Sequence, residues 1–248
     1  MVQLLRYGRG QVTLVDVGNA LFRWRNTLFP FACALVFLPG PRVFADPIDA
    51  LAPGAAIAFL GQLVRSMTIG LRYIIRGGRN RRVYAEDLVT EGLYAHTRNP
   101  MYIGNLLILA GVALASNSWV CLAIAVPLFV FVYVAIVAAE ENFLRAKFGT
   151  SFDAYRRNVP RWSVRWRDFG KTLGSMEFNW RRVLVKEYGT PVGWITGLCA
   201  LGLIRLQSPD VAAAYPRATT LLYSILIVAV LAWLTARWLK KARIVVAD

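Results

Sequence analysis

The sequence predicts an all-α, multi-pass transmembrane protein of about six spans, with a helical hairpin among them and a basic cytoplasmic segment behind it. Two observations predict this. Of the 248 residues, 57% are hydrophobic and only 17% charged, and the apolar residues come in long blocks rather than alternating with charge. The basic residues that give the net charge of +15 are concentrated in alternate connections between those blocks, the pattern of a chain threaded through a membrane.

A helix needs about 20 mostly apolar residues to cross the hydrocarbon core. Read by length, six candidate blocks emerge, at 27–44, 53–75, 100–116, 119–139, 191–206 and 218–238. The first contains Pro30, Pro39 and Pro41, and the third and fifth are short, so these three are the candidates for partial or tilted spans. The stretch FPFACALVFLPGPRVFA also ends as a cleaved leader might. Its preceding basic region of about 26 residues is long for a signal of about 15–30 residues in all, which favours a span. Hydropathy divides the chain into two spans, a polar link from Arg76 to Asn99, an apolar hairpin, a long basic segment from Glu140 to Tyr188 and two closing spans.

Four basic residues precede the first block, six lie between Arg72 and Arg98, eleven between Arg145 and Lys186, and four at Arg237, Lys240, Lys241 and Arg243 at or beyond the end of the last block, whereas only Arg42, at the end of the first block, and Arg217 fall on the opposite side. Six spans with both termini in the cytoplasm satisfy this distribution. The charge then reports topology and anionic lipid headgroups, and nucleic acid is excluded as a partner. Trp162, Trp166 and Trp180 alternate with Arg161, Arg165, Arg167, Arg181 and Arg182, as suits a membrane surface. Cys33, Cys121 and Cys199 lie in apolar blocks without metal-ligand spacing, implying neither disulfide nor metal site. Oligomeric state is not encoded in any of these patterns.

Polar chemistry gathers at one place. Asn99 and Pro100 form a helix start, with Asn expected to cap and Pro at the first helical position. The helix from Pro100 turns at residues 116–118, and the next continues into Glu140 and Glu141. Counting outward from Asn117 puts Val134 level with Pro100 and Glu140 about 9 Å further toward the cytoplasm at 1.5 Å per residue, beside Tyr94, His96 and Arg98. A helix N-terminus and an arginine favour an anion, while paired glutamates favour a cation, so a zwitterion suits the site. An interfacial network in which Arg98 neutralises one glutamate is the alternative. Arg65, inside the second block, is costly in lipid and should face the interior, toward either a lipid headgroup or a carboxylate.

The segment LVTEGLYAHTRNPMYIGNLLILAG, followed by a hairpin and EENFLRAKFGTSFDAYRRNVPRW, resembles the signature of the membrane methyltransferases that include isoprenylcysteine carboxyl methyltransferase and the phospholipid methyltransferases. That pattern is G-x-Y-x-x-x-R-[HN]-P-x-Y-x-G, a hairpin ending in E-E, then F-G-x-x-Y-x-x-Y-x-x-x-V-P. The resemblance sets 88–162 apart as the core, between 1–87 with two spans and 163–248 with a basic interfacial segment and two closing spans. The resemblance implies S-adenosylmethionine at the cytoplasmic end of the hairpin and a methyl acceptor arriving from the bilayer, a membrane lipid or lipidated substrate. It carries cofactor binding to Tyr94, Arg98, Asn99, Pro100, Tyr102, Gly104, Glu140 and Glu141, with Gly104 allowing the cofactor to approach the backbone. Glu140 and Glu141 are the expected bases for an amine acceptor, with Arg157 and Arg161 gripping its phosphate or a carboxylate. Asn99 replaces the histidine of many relatives and Asn158 replaces an arginine before Val159, which puts carboxyl methylation in doubt. His96 reads as an interfacial residue rather than a base. Spans two and four, where Arg65 and Arg72 share a face and Pro127 can bend the helix, are expected to flank a lateral opening. A nicotinamide-dependent reductase of the sterol-reductase type and a non-catalytic lipid-binding protein are the rival readings.

Overall fold

The computed structural model describes residues 12–46, 48–72 and 83–246, apart from the side chains of 29–33. Every regular element among these described residues is a helix. The helices are α1 (Leu14–Cys33), α2 (Leu51–Leu71), α3 (Pro100–Ala115), α4 (Trp119–Phe148), α5 (Thr150–Asn158), α6 (Phe169–Ser175), α7 (Trp180–Glu187), α8 (Gly189–Arg205), α9 (Pro209–Ala214) and α10 (Ala218–Lys241). Among the described residues α2, α4 and α10 are long and apolar enough to cross a membrane, and α3 is a shorter apolar helix. Residues Arg6, Arg9, Arg76, Arg79, Arg81 and Arg82 of the basic clusters and the thiol of Cys33 lie outside the described residues.

The first block needs correction. The helix there is α1, which begins at Leu14 and ends at Cys33, followed by a 3₁₀ turn over Ala34–Phe37. Pro39 and Pro41 lack the N–H a helix requires, so the apolar residues up to Phe44 leave the helix. The preceding turns enter it despite carrying Arg23 and Arg25. The second block ends earlier than its hydropathy suggests, with Arg72 extended at φ −151°. By contrast α4 runs past its apolar part as expected. Residues 119–139 span about 31 Å at 1.5 Å each, a full hydrocarbon core, and Glu140–Phe148 project beyond it.

α2 and α3 lie antiparallel along a seam of four glycines. Gly54 faces Gly111 and Gly61 faces Gly104. A Cβ on Gly54 would sit 2.6 Å from the Gly111 carbonyl oxygen, and one on Gly61 2.5 Å from that of Gly104. Backbones this close can pack only without side chains between them, as small residues permit in membranes. α1 lies against α4, with Gly18 on Ala135 and Ala139, and α8 meets α10 where Gly202 faces Leu222. The pair expected to flank a lateral opening, α2 with α4, is not among these packed pairs.

At the end of the bundle opposite Glu140, Asn117 takes φ 51° and closes the α3–α4 turn. Its side-chain oxygen accepts from the N–H groups of Val43 and Phe44 at 3.0 and 2.7 Å. A buried polar group so satisfied can rigidify the loop it holds. The α4–α5 turn is made by Gly149 at φ 52°, ψ −122°, a conformation open only to glycine. That turn folds α5 back beneath the start of α3.

Candidate functional site

The segment returning from α5 pairs with the residues that open α3. The Arg98 N–H donates to the Pro160 carbonyl at 2.9 Å, and the Asn99 side-chain amide donates to the Arg161 carbonyl at 3.0 Å. Asn99 therefore occupies the cap position of α3 without a side-chain cap bond, contrary to the expectation. The returning carbonyl competes for the same side chain and holds it. Pro100 stands at the first helical position as anticipated.

The two glutamates are not equivalent. Glu141, 8% exposed, receives Arg98 Nε at 3.0 Å and Arg161 Nε at 3.0 Å, with a further Arg161 nitrogen on its second oxygen. Arg98 also donates to the carbonyls of Val159 and Arg156 at 2.7 and 3.0 Å. This carboxylate thus clamps the α5 return to the start of α3. Glu140 instead accepts from the Tyr102 hydroxyl at 2.6 Å. The register counted outward from Asn117 is visible here, since the rings of Tyr102 and Tyr133 lie 5.2 Å apart and the phenol reaches up to Glu140.

Both glutamates line a cavity of about 600 Å³. Tyr94, Arg98, Asn99 and Tyr102 of the anticipated residues line it too, whereas Pro100, Gly104, Arg157 and Arg161 do not. Gly104 is turned to α2, where a Cβ would meet Arg65 Cγ at 2.5 Å. It serves helix packing. Arg157 is exposed on α5, and Arg161 is engaged by Glu141. On the α5 side Tyr155 donates to the Tyr94 carbonyl at 2.7 Å. Burial pushes its phenol well above the usual tyrosine range, with Glu141 adding to the rise and Arg98 opposing it.

Two further residues change role. His96 is 1% exposed, bonded at 2.7 Å to the Arg165 carbonyl and at 2.8 Å to Thr172, so it fastens the segment after the core rather than facing the interface. Arg65 meets Glu187 through two nitrogens at 2.5 and 2.9 Å and also donates to Asn105. Of the two partners left open for it, the carboxylate is the one present. The ion pair tells why a polar Asn105 stands in the first turns of an apolar helix.

The sequence reading missed part of the lining. Tyr133, Ile136 and Leu144 join Glu140 at spacings of three and four, one face of α4, which was a readable signal. Phe22, Arg25 and Asn26 of α1 line it as well, and no local pattern connects them to residues so distant in the chain.

Residues 55–151 match the family described as phospholipid methyltransferase. The match reaches back into α2, further than the motif residues 88–162, and stops just after the Gly149 turn. The chain is 29% identical over 138 residues to protein-S-isoprenylcysteine O-methyltransferase of Schizosaccharomyces pombe, covering 52% of this chain and 57% of that protein. It is 33% identical over 107 residues to cobalt-zinc-cadmium resistance protein CzcN of Cupriavidus metallidurans, covering 43% and 44%. It is 30% identical, again over 107 residues, to nickel-cobalt-cadmium resistance protein NccN of Alcaligenes xylosoxydans xylosoxydans, covering 43% and 49%. The chain spans about half the length of these curated relatives. No solved structure matches it. Within the matched residues fall Arg98, Tyr102, Glu140 and Glu141, and α1 lies before them.

Proposed function

We propose that the protein is an S-adenosylmethionine-dependent methyltransferase of the membrane, acting on a lipid or lipid-like acceptor. The observation that carries this reading is the cavity over the methyltransferase motifs, in which Glu141 is neutralised by two arginines while Glu140, held by Tyr102, is left to receive a cation. About 600 Å³ is an ordinary size for a small-molecule site, and the residues fit the cofactor. Its cationic amino and sulfonium groups suit Glu140, and its flat adenosine suits the aromatic walls of Tyr94, Tyr133 and Phe152. Once bound, the cofactor supplies an activated methyl group.

The chain's own part is positioning, exclusion of water and handling of a proton. Glu140 attracts an amine acceptor and takes its proton; a carboxylate acceptor needs no base. Glu141, through Arg98 and Arg161, holds the wall in place. The charge distribution supports both termini in the cytoplasm, with the cavity mouth at that face. Trp166, 72% exposed, and the exposed Trp180 are placed at the headgroups, where Arg181, 5.7 Å over the Trp180 ring, meets anionic lipid. The acceptor's chains enter sideways from the bilayer, because extracting them into water would cost about 0.8 kcal/mol per CH₂.

The deciding experiment supplies purified protein with methyl-labelled S-adenosylmethionine and a total lipid extract. Label in an organic-soluble product is expected, abolished in Glu140→Gln. Label in water-soluble acceptors alone would return the acceptor to the cytoplasm, and no transfer to either would refute the reading.

A further inference from the structure

We propose that Arg25, on α1 and before the matched residues, is the oxyanion-binding residue of this cavity, gripping the phosphate or carboxylate of one of its two substrates. The proposal rests on the methyltransferase reading above.

The depth of Arg25 follows from packing. Gly18 rests against Ala135 and Ala139, while Gly40, further along the chain, rests against Ser118 and Val120. α1 therefore descends antiparallel to α4, and Arg25, about two turns past Gly18, is carried from the level of Ala139 toward the apolar half of α4. A charge there is expensive and faces a cavity or partner for a functional reason. Its guanidinium centre lies 4.1 Å over the ring of Phe22, itself 3% exposed, and both residues line the cavity.

The other arginines of the cavity are engaged with carboxylates. Arg65 is held by Glu187 and Arg98 by Glu141. Among the described residues no ion pair involves Arg25, although it shares the cavity with Glu140. A cation and a carboxylate facing one space without touching are complementary to a zwitterion lying between them. The cofactor carries a carboxylate beside its amino group, and a phosphoethanolamine headgroup carries a phosphate beside its amine. Arg157 and Arg161, the residues expected from sequence to hold that oxyanion, lie off the cavity.

The test titrates wild type, Arg25→Gln, Arg25→Met and the exposed control Arg23→Gln, in nonionic detergent, separately with S-adenosylmethionine and with short-chain phosphatidylethanolamine. At least a tenfold loss of affinity for one ligand is expected in both Arg25 variants and none in Arg23→Gln. A loss confined to the cofactor assigns its carboxylate to Arg25, and one confined to the phospholipid assigns the phosphate. Affinities within twofold of wild type for both ligands, in whichever Arg25 variant keeps the wild-type unfolding temperature, overturn the assignment and leave the methyltransferase reading intact. Wild type that binds neither ligand overturns both.

Discussion

At Glu140 and Glu141 two identical side chains, adjacent in sequence, have different tasks because successive helical residues point about 100° apart. Glu141 faces the α5 return and is saturated by Arg98 and Arg161. Glu140 faces Tyr102 and the cavity. Removing the Glu141 charge leaves Arg98 nearly buried without its counter-ion, so Glu141→Gln is expected to lose about 2–3 kcal/mol of stability. That is below the 3–5 kcal/mol of a fully buried pair, since Arg161 is 38% exposed. Glu140→Gln, which can still accept from Tyr102, should keep its unfolding temperature within a degree or two while cofactor affinity falls at least tenfold. Thermal unfolding and binding calorimetry on the two variants separate the roles. Equal loss of affinity without loss of stability in both would show that the glutamates act alike.

Tyr155 gives a pH signature of its own. Its pKa is raised in the folded state, so the stability it contributes is fully present below the unfolded value of about 10 and is lost as pH rises toward the folded value. The unfolding temperature should therefore hold between pH 7 and 9 and begin to fall above about pH 10. Tyr155→Phe should lower stability by about 1 kcal/mol at neutral pH, the worth of its bond to the Tyr94 carbonyl, and blunt the alkaline fall. An alkaline limb unchanged in that variant would place its origin elsewhere.

Among the elements, the α2–α3 seam sets the position of everything at the start of α3. Its glycines bring the backbones together over two turns, and any side chain there pushes Arg98 and Tyr102 away from α4. Gly61→Val is expected to cost about 1–3 kcal/mol through overpacking and to weaken cofactor binding although residue 61 does not itself line the cavity. Gly170→Ala, where nothing lies within 4 Å of the added carbon, should be neutral or stabilising by up to about 1 kcal/mol from helix propensity. Comparing unfolding temperatures of the pair reads the seam directly, and equal effects would remove it as a determinant.

Across the whole molecule, the ion pair of Arg65 with Glu187 joins the N-terminal spans to the C-terminal ones. Gln62 bridges further, donating to Glu187 at 3.3 Å and accepting from Trp194 at 3.2 Å. A pair this buried costs much desolvation, and breaking it from one side is worse than removing it whole. Glu187→Gln should lose about 3–5 kcal/mol, and Arg65→Met with Glu187→Leu should recover most of that. A double variant no better than the single one, measured by thermal unfolding in detergent, would contradict this account. α10 adds a lipid-facing surface, since Leu221, Ile227, Val228 and Leu231 remain exposed on it.

The sequence alone determined the helical class, the hairpin and its register. Each follows from local rules: block length, a Pro at a helix start, and a fixed rise per residue on either side of Asn117. Tertiary structure decided the rest, because it depends on which groups compete for one another across the bundle. The Arg161 carbonyl took the Asn99 side chain from its cap, Arg98 and Arg161 chose Glu141 over Glu140, and Arg65 found Glu187 more than a hundred residues away. Arg25 shows the limit most plainly. Counted with the basic residues before the first span, it reads as a topology signal, and only the antiparallel descent of α1 along α4 brings its charge into the cavity.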